Sequence, residues 1–192
     1  MRLITVLLIG ATTIITIMGG CKKEDSKANN HMTHNGVEYQ LDKGILESYG
    51  RWDDEGYGMD LVLLSPGFII HEINGEIDSL SGIGHGIMFE LFSNSSDKLD
   101  IGNYSWDEND DGIPFTMIYS DAVMNWNIQT GDGMELEADN GELKIISSEG
   151  GYELSFSLTM EDGNTLSGFY KGTLKYFDES YKNSSARKSF FN

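Results

Sequence analysis

A single cysteine, Cys21, has no second thiol to pair with in the chain. Intramolecular disulfides are therefore excluded, and so are metal centres built from several thiolates. Cations are also scarce, with 13 Lys and Arg set against 31 Asp and Glu, a formal charge of −18. A field of that sign repels phosphate backbones and excludes nucleic acid as a natural partner. It also argues against docking of the folded part on anionic lipid, and it favours solubility and multivalent cations. Helical periodicity is nearly absent. No Gly-x-Ser-x-Gly elbow or His-Glu-x-x-His pattern occurs, and of the four histidines only His71 and His85 lie away from the N-terminus. No catalytic residues are assigned, and an enzyme is not expected. A hydrolase using two carboxylates stays as an alternative, because 31 acids neither single out a pair nor exclude one.

The one long apolar run stands at the start. Arg2 supplies a positive first region, residues 3–18 carry no charge, and Gly19-Gly20 are the small residues that a signal peptidase needs before Cys21. The run stops short of the roughly 20 apolar residues of a membrane-spanning helix, so residues 1–20 are expected to be a cleaved signal peptide. Ile17-Met18-Gly19-Gly20-Cys21 resembles the lipobox of bacterial lipoproteins. The resemblance implies cleavage before Cys21 and lipidation of its thiol, with acyl chains such as palmitate. At about 0.8 kcal/mol per buried CH₂, several such chains hold a protein at a membrane. Lys22-Lys23-Glu24-Asp25 is similar to the charged export signal that follows the lipid cysteine in Bacteroidetes lipoproteins. That likeness implies an outer-membrane location facing the cell exterior, with the membrane reached through the lipid anchor only. Cleavage would remove Arg2 and no acid, leaving 12 cations against 31 acids, a formal −19.

Residues 21–36 then read as the lipidated cysteine and a flexible polar linker, in which His31 and His34 are incidental. Residues 37–179 have the size of one domain. Gly is abundant at 23 and aromatics are plentiful, an all-β composition. Period-2 alternation recurs over residues 57–64, 85–92, 142–147, 152–159 and 165–176, and less cleanly over 37–49, 100–106 and 115–127. Asn140-Gly141, Glu149-Gly150-Gly151 and Asp162-Gly163-Asn164 offer the positive φ of tight hairpin turns, so the last strands are predicted to form an antiparallel meander. Eight to nine antiparallel strands predict a β-sandwich, with a lipocalin-like up-and-down β-barrel as the alternative. Residues 65–86 form a long insertion whose Phe68-Ile69-Ile70 suits a short extra strand or a helical turn. The tail, 180–192, ends in Phe190-Phe191, either frayed or docked. Residues 39–178, through "YQLDKGILESYG", "GIMFELFS", "IGNYSW" and "GYELSFSLTMEDGNTLSGFYKGTLKYFD", resemble small Bacteroidetes surface lipoproteins of unassigned activity. The resemblance implies a sandwich-like exported domain and brings no functional residues with it.

Two clusters are candidate sites. Asp107-x-Asn109-x-Asp111-Gly112 is the first half of an EF-hand loop, but Ile118 stands where the bidentate glutamate belongs. Calcium would bind there only if remote carboxylates, with Asp121, Asp97 and Asp100 nearest in sequence, complete the shell. The other reading is a solvated hairpin tip between two strands. No other cofactor is expected. Trp52, Tyr57 and Trp106 are candidate contacts for a sugar ring, Trp52 because it sits in an acidic loop context whose carboxylates accept hydroxyl hydrogen bonds. Together these features predict a surface lipoprotein that binds an extracellular glycan or protein, with the hydrolase or an accessory subunit of an outer-membrane assembly as alternatives.

Overall fold

The computed structural model describes residues 29–52, 55–181 and 190–191. Cys21, Lys22, Lys23, Glu24 and Asp25 lie outside these residues, as do residues 1–28 as a whole and most of the C-terminal tail. The described chain is all strand, turn and loop, with no helix. In order, the strands are β1 (His31–His34), β2 (Val37–Gln40), β3 (Lys43–Arg51), β4 (Tyr57–Leu64), β5 (Phe68–Ile73) and β6 (Glu76–Ser93), then β7 (Gly102–Trp106), β8 (Thr116–Asn127), β9 (Asp132–Ser147), β10 (Tyr152–Met160), β11 (Thr165–Gly172) and β12 (Leu174–Asp178).

Eleven of them form one curled mixed sheet, a half-barrel, in the order β12-β3-β4-β6-β8-β7-β9-β10-β11-β1-β2. β5 lies off this path and pairs with β6. Where the sequence suggested eight to nine antiparallel strands in a sandwich or an up-and-down barrel, the described residues hold twelve strands and two parallel pairings, β12 with β3 and β7 with β8. Two of the additional strands, β1 and β5, come from Asn-Gly turns, and the other two arise because the runs expected over residues 37–49 and 165–176 are divided at Leu41-Asp42 and at Thr173. Asn35-Gly36 (φ 51° and 75°) closes β1 onto β2, and Asn74-Gly75 (φ 56° and 88°) closes β5 onto β6. Both residues of each pair have the positive φ of a two-residue turn that matches strand twist. Residues 31–34, predicted to be linker, therefore form a strand, and His34 is buried with Nε2 3.0 Å from Asp162.

The predicted meander β9-β10-β11 is present and antiparallel. Its turns fall at Gly150-Gly151 and Gly163, all with positive φ. Asn140-Gly141 is no turn. β9 runs straight through it, with Asn140 opposite Thr159 and Gly141 opposite Leu158, beside a register shift. A methyl on Gly141 would come 2.6 Å from the Ser157 carbonyl oxygen, so this glycine permits close approach of two strands.

Two cores flank the sheet. The larger lies on the concave face and gathers Leu61, Phe89, Tyr104, Leu143, Phe156 and Tyr170 among others. The smaller lies on the opposite face of β3, β4, β6 and β8, with Ile45, Val62, Met88, Val123, Trp126 and Phe177. β4 is buried along nearly its whole length because its odd residues feed one core and its even residues the other. The insertion covers this second core. Phe68 is fully buried, and Ile70, Ile77 and Leu80 pack down beside it. Phe191 docks there too, 3% exposed, its ring 6.1 Å from that of Phe68.

Candidate functional site

The structure brings the Trp52 loop and the acidic loop together. Gly56 N–H donates to the Gly112 carbonyl (2.9 Å), and the Trp52 ring lies so close over Gly112 that a methyl there would fall 2.3 Å from Cδ1. Gly112 also has φ +71°, so glycine is required at this position twice over. The Trp52 ring meets Phe92 with centroids 5.8 Å apart. Phe92 extends from β6 on the side of Met88 and the smaller core. Tyr57 and Trp106 instead pack half-buried against the larger core on the concave face. The sheet thus stands between Trp52 and the other two rings, and the three do not make one stacking platform.

The acidic loop is not a hairpin tip. β7 and β8 run parallel, with Ser105 opposite Thr116 and Trp106 opposite Met117, so residues 107–115 must carry the chain back to the start of a parallel neighbour. Such a link is ordinarily a dozen residues or more. The shortness is met by backbone in the left-handed region at Asp110 (φ 54°), Gly112 and Phe115 (φ 68°). Asp107 organises the loop: its Oδ1 accepts from Asn109 N–H at 3.0 Å, and its Oδ2 from Asp111 N–H at 3.5 Å. This is an Asx turn. Asp100, one of the remote carboxylates, accepts instead from the Ser93 and Ser95 hydroxyls. Asp121 is fully buried in β8 opposite Met88 and has partners of its own. Among the described residues no three His, Cys, Asp or Glu side chains are grouped to hold a metal ion.

A cleft lies elsewhere, at the seam between the β2–β3 and β11–β12 connections. β2 passes into β3 through Leu41-Asp42, and β11 into β12 through Thr173 alone, and these connections bring residues 42–45 and 170–175 to one cleft. Asn30 brackets them. Its side-chain Nδ2 donates to the Lys171 carbonyl, its Oδ1 accepts from Lys171 N–H, and its own carbonyl accepts from Leu41 N–H. Tyr170 fills the seam from inside, its hydroxyl donating to the Thr173 carbonyl at 2.9 Å. The ring needs glycine on both sides: a methyl on Gly172 would come 2.7 Å from the Tyr170 oxygen, and one on Gly44 3.1 Å from it. Burial, with the nearby charge of Asp42, pushes the Tyr170 phenol up to about 12.

The cleft above this seam encloses about 610 Å³ and is open to solvent, within the range of small-molecule sites. Ile70 and Leu174 give it apolar wall, and Asp42, Lys43, Lys171 and Lys175 give it charge. Lys43 Nζ donates to the Phe68 carbonyl, Lys171 Nζ lies 2.8 Å from Glu153, and Lys175 Nζ pairs with Glu72. The side chains of Lys171 and Lys175 are still more than half exposed. None of these residues stood out in the sequence. Lys43 and Lys175 are far apart in the chain, and only the parallel pairing of β12 with β3, which sets Leu174 opposite Gly44, brings them to one mouth. Comparison with family models, with curated proteins and with solved structures gives no match.

Proposed function

We propose that this chain is a lipid-anchored protein of the outer membrane, exposed at the cell surface, whose β domain binds an extracellular glycan or protein. The observation that carries the binding reading is the seam cleft. It is concave, partly apolar and edged by polar groups that converge from β3, β11 and β12. A surface built only to be solvated has no need of such a hollow. The anchoring reading rests on the lipobox-like run ending at Cys21 and the Lys22-Lys23-Glu24-Asp25 segment after it. No catalytic role is assigned to any residue.

Two experiments test the two halves. Metabolic labelling with palmitate, followed by membrane fractionation, should label the wild-type chain and find it in the outer membrane. Cys21→Ser should abolish both signals, and a labelled or membrane-bound Cys21→Ser chain would refute the anchor. A glycan array probed with the purified chain should show binding that is weakened by substitution of cleft residues. An array without a single bound glycan, together with no protein captured at the cell surface by crosslinking, would refute the binding reading.

A further inference from the structure

We infer that the seam cleft selects acidic oligosaccharides, sugars that carry a carboxylate or a sulfate. The inference rests on the binding reading above and adds the chemistry of the ligand. Six lysines and arginines are described: Lys43, Arg51, Lys98, Lys144, Lys171 and Lys175. Three of the six line this one cleft, in a chain whose formal charge is −18. A concentration of cations against the overall sign is what a site for an anion requires. The long-range field of the molecule opposes the approach of an anion, but at physiological salt charges are screened over about 8 Å. Glu153 and Glu72 pair with two of the three ammonium groups and Asp42 lines the cleft beside them, so the selection is made by N–H bonds given at contact and not by a net positive field.

Each ammonium retains donors for a ligand. A lysine has three N–H bonds to give. Lys43 directs one at the Phe68 carbonyl, Lys171 one at Glu153 and Lys175 one at Glu72. These partners also hold the flexible side chains in place, which lowers the entropy lost when a ligand binds. The rest of the lining suits a sugar. Ile70 and Leu174 offer apolar surface to the C–H face of a ring, while Asp42 and Thr173 add polar atoms to the lining. An acidic peptide fits less well, because the main chain at the cleft is already engaged. Asn30 satisfies both backbone groups of Lys171, and Tyr170 takes the Thr173 carbonyl. A strand laid into the cleft would find few ladder partners there.

The test is calorimetric titration of the full chain in detergent with four probes of similar length: a uronate oligosaccharide, a sulfated one, a neutral one and oligoglutamate. An acidic sugar should bind about tenfold or more tightly than the neutral one, the difference made by a single hydrogen bond to a charged group. That preference should fall with added salt. It should vanish in Lys43→Gln/Lys171→Gln/Lys175→Gln and survive in Lys98→Gln/Lys144→Gln. The single lysine variants, each with an unchanged melting temperature, keep the test valid if the triple variant folds poorly. Equal binding of neutral and acidic sugars would overturn the charge selection and leave the binding reading standing. Oligoglutamate binding as tightly as the sugars would overturn the choice of glycan over peptide. Failure of every sugar to bind would overturn the glycan reading itself.

Discussion

Trp126 is buried in the smaller core, yet its indole Nε1 has no hydrogen-bond partner among the described residues. A buried unsatisfied donor costs about 1–3 kcal/mol, whereas the ring itself contributes packing. Trp126→Phe removes the donor and keeps most of the ring, so its stability should stay within about 1 kcal/mol of wild type. Trp126→Ala leaves a cavity and should lose about 3–5 kcal/mol; urea denaturation of both variants separates the two contributions. Tyrosines give a second prediction at this scale. Burial is the main cause that pushes Tyr104 and Tyr170 up to about 12, while a phenol in the unfolded chain ionises near 10. Between about 10 and 12 the folded state retains protons that the unfolded state has released. The stability contributed by these neutral phenols is complete below about 10 and is lost as pH rises through that window. Denaturant midpoints should fall from about pH 10 upward, and Tyr170→Phe should fall less steeply. A midpoint that is level from neutral pH to about 11 would contradict the burial assigned to both rings.

At the scale of elements, the arm formed by β5 and the first half of β6 departs from the sheet where Gly67 and Gly82 pass each other. Gly82 has φ +102°, and a methyl on it would lie 2.3 Å from the Gly67 carbonyl oxygen. Gly82→Ala should therefore cost about 1–3 kcal/mol through strain and overpacking. The C-terminal segment closes the same core, so Phe191→Ala should cost about 3–5 kcal/mol. Thermal melts of the two variants check both values, and a wild-type melt for Phe191→Ala would show that its docking contributes nothing. The sequence made some of these elements legible and not others. Alternation at residues 152–159 and 165–172, with glycines between, marks β10 and β11 plainly because their residues alternate between the larger core and a more exposed face. β4 was harder to assign to a layer, since Val62 and Leu64 serve a second core that alternation alone does not reveal. Asn140-Gly141 shows the reverse failure, a turn dipeptide held extended by neighbours on β10. The parallel return from β7 to β8 was hidden because Asp107 and Gly112 suit a hairpin as well as a crossover. The seam cleft was the least legible feature, for its lysines meet only through long-range pairing.

At the scale of the whole molecule, excess acid governs solution behaviour. A formal charge of −18 makes the compact state repel itself, and added salt screens that repulsion. The melting temperature should therefore rise with sodium chloride, and a melt insensitive to salt would mean that the acids are already neutralised in pairs. Against that field, Lys43, Lys171 and Lys175 stand at one cleft, and Trp52 stands apart beside Phe92 and Gly112. Backbone amide shift mapping with a bound acidic oligosaccharide distinguishes these two places directly. Perturbations should centre on Asn30, Asp42, Lys43 and residues 170–175, with Trp52 and residues 107–112 unmoved. Shifts centred on Trp52 and the acidic loop, with residues 170–175 silent, would contradict the cleft as the binding place.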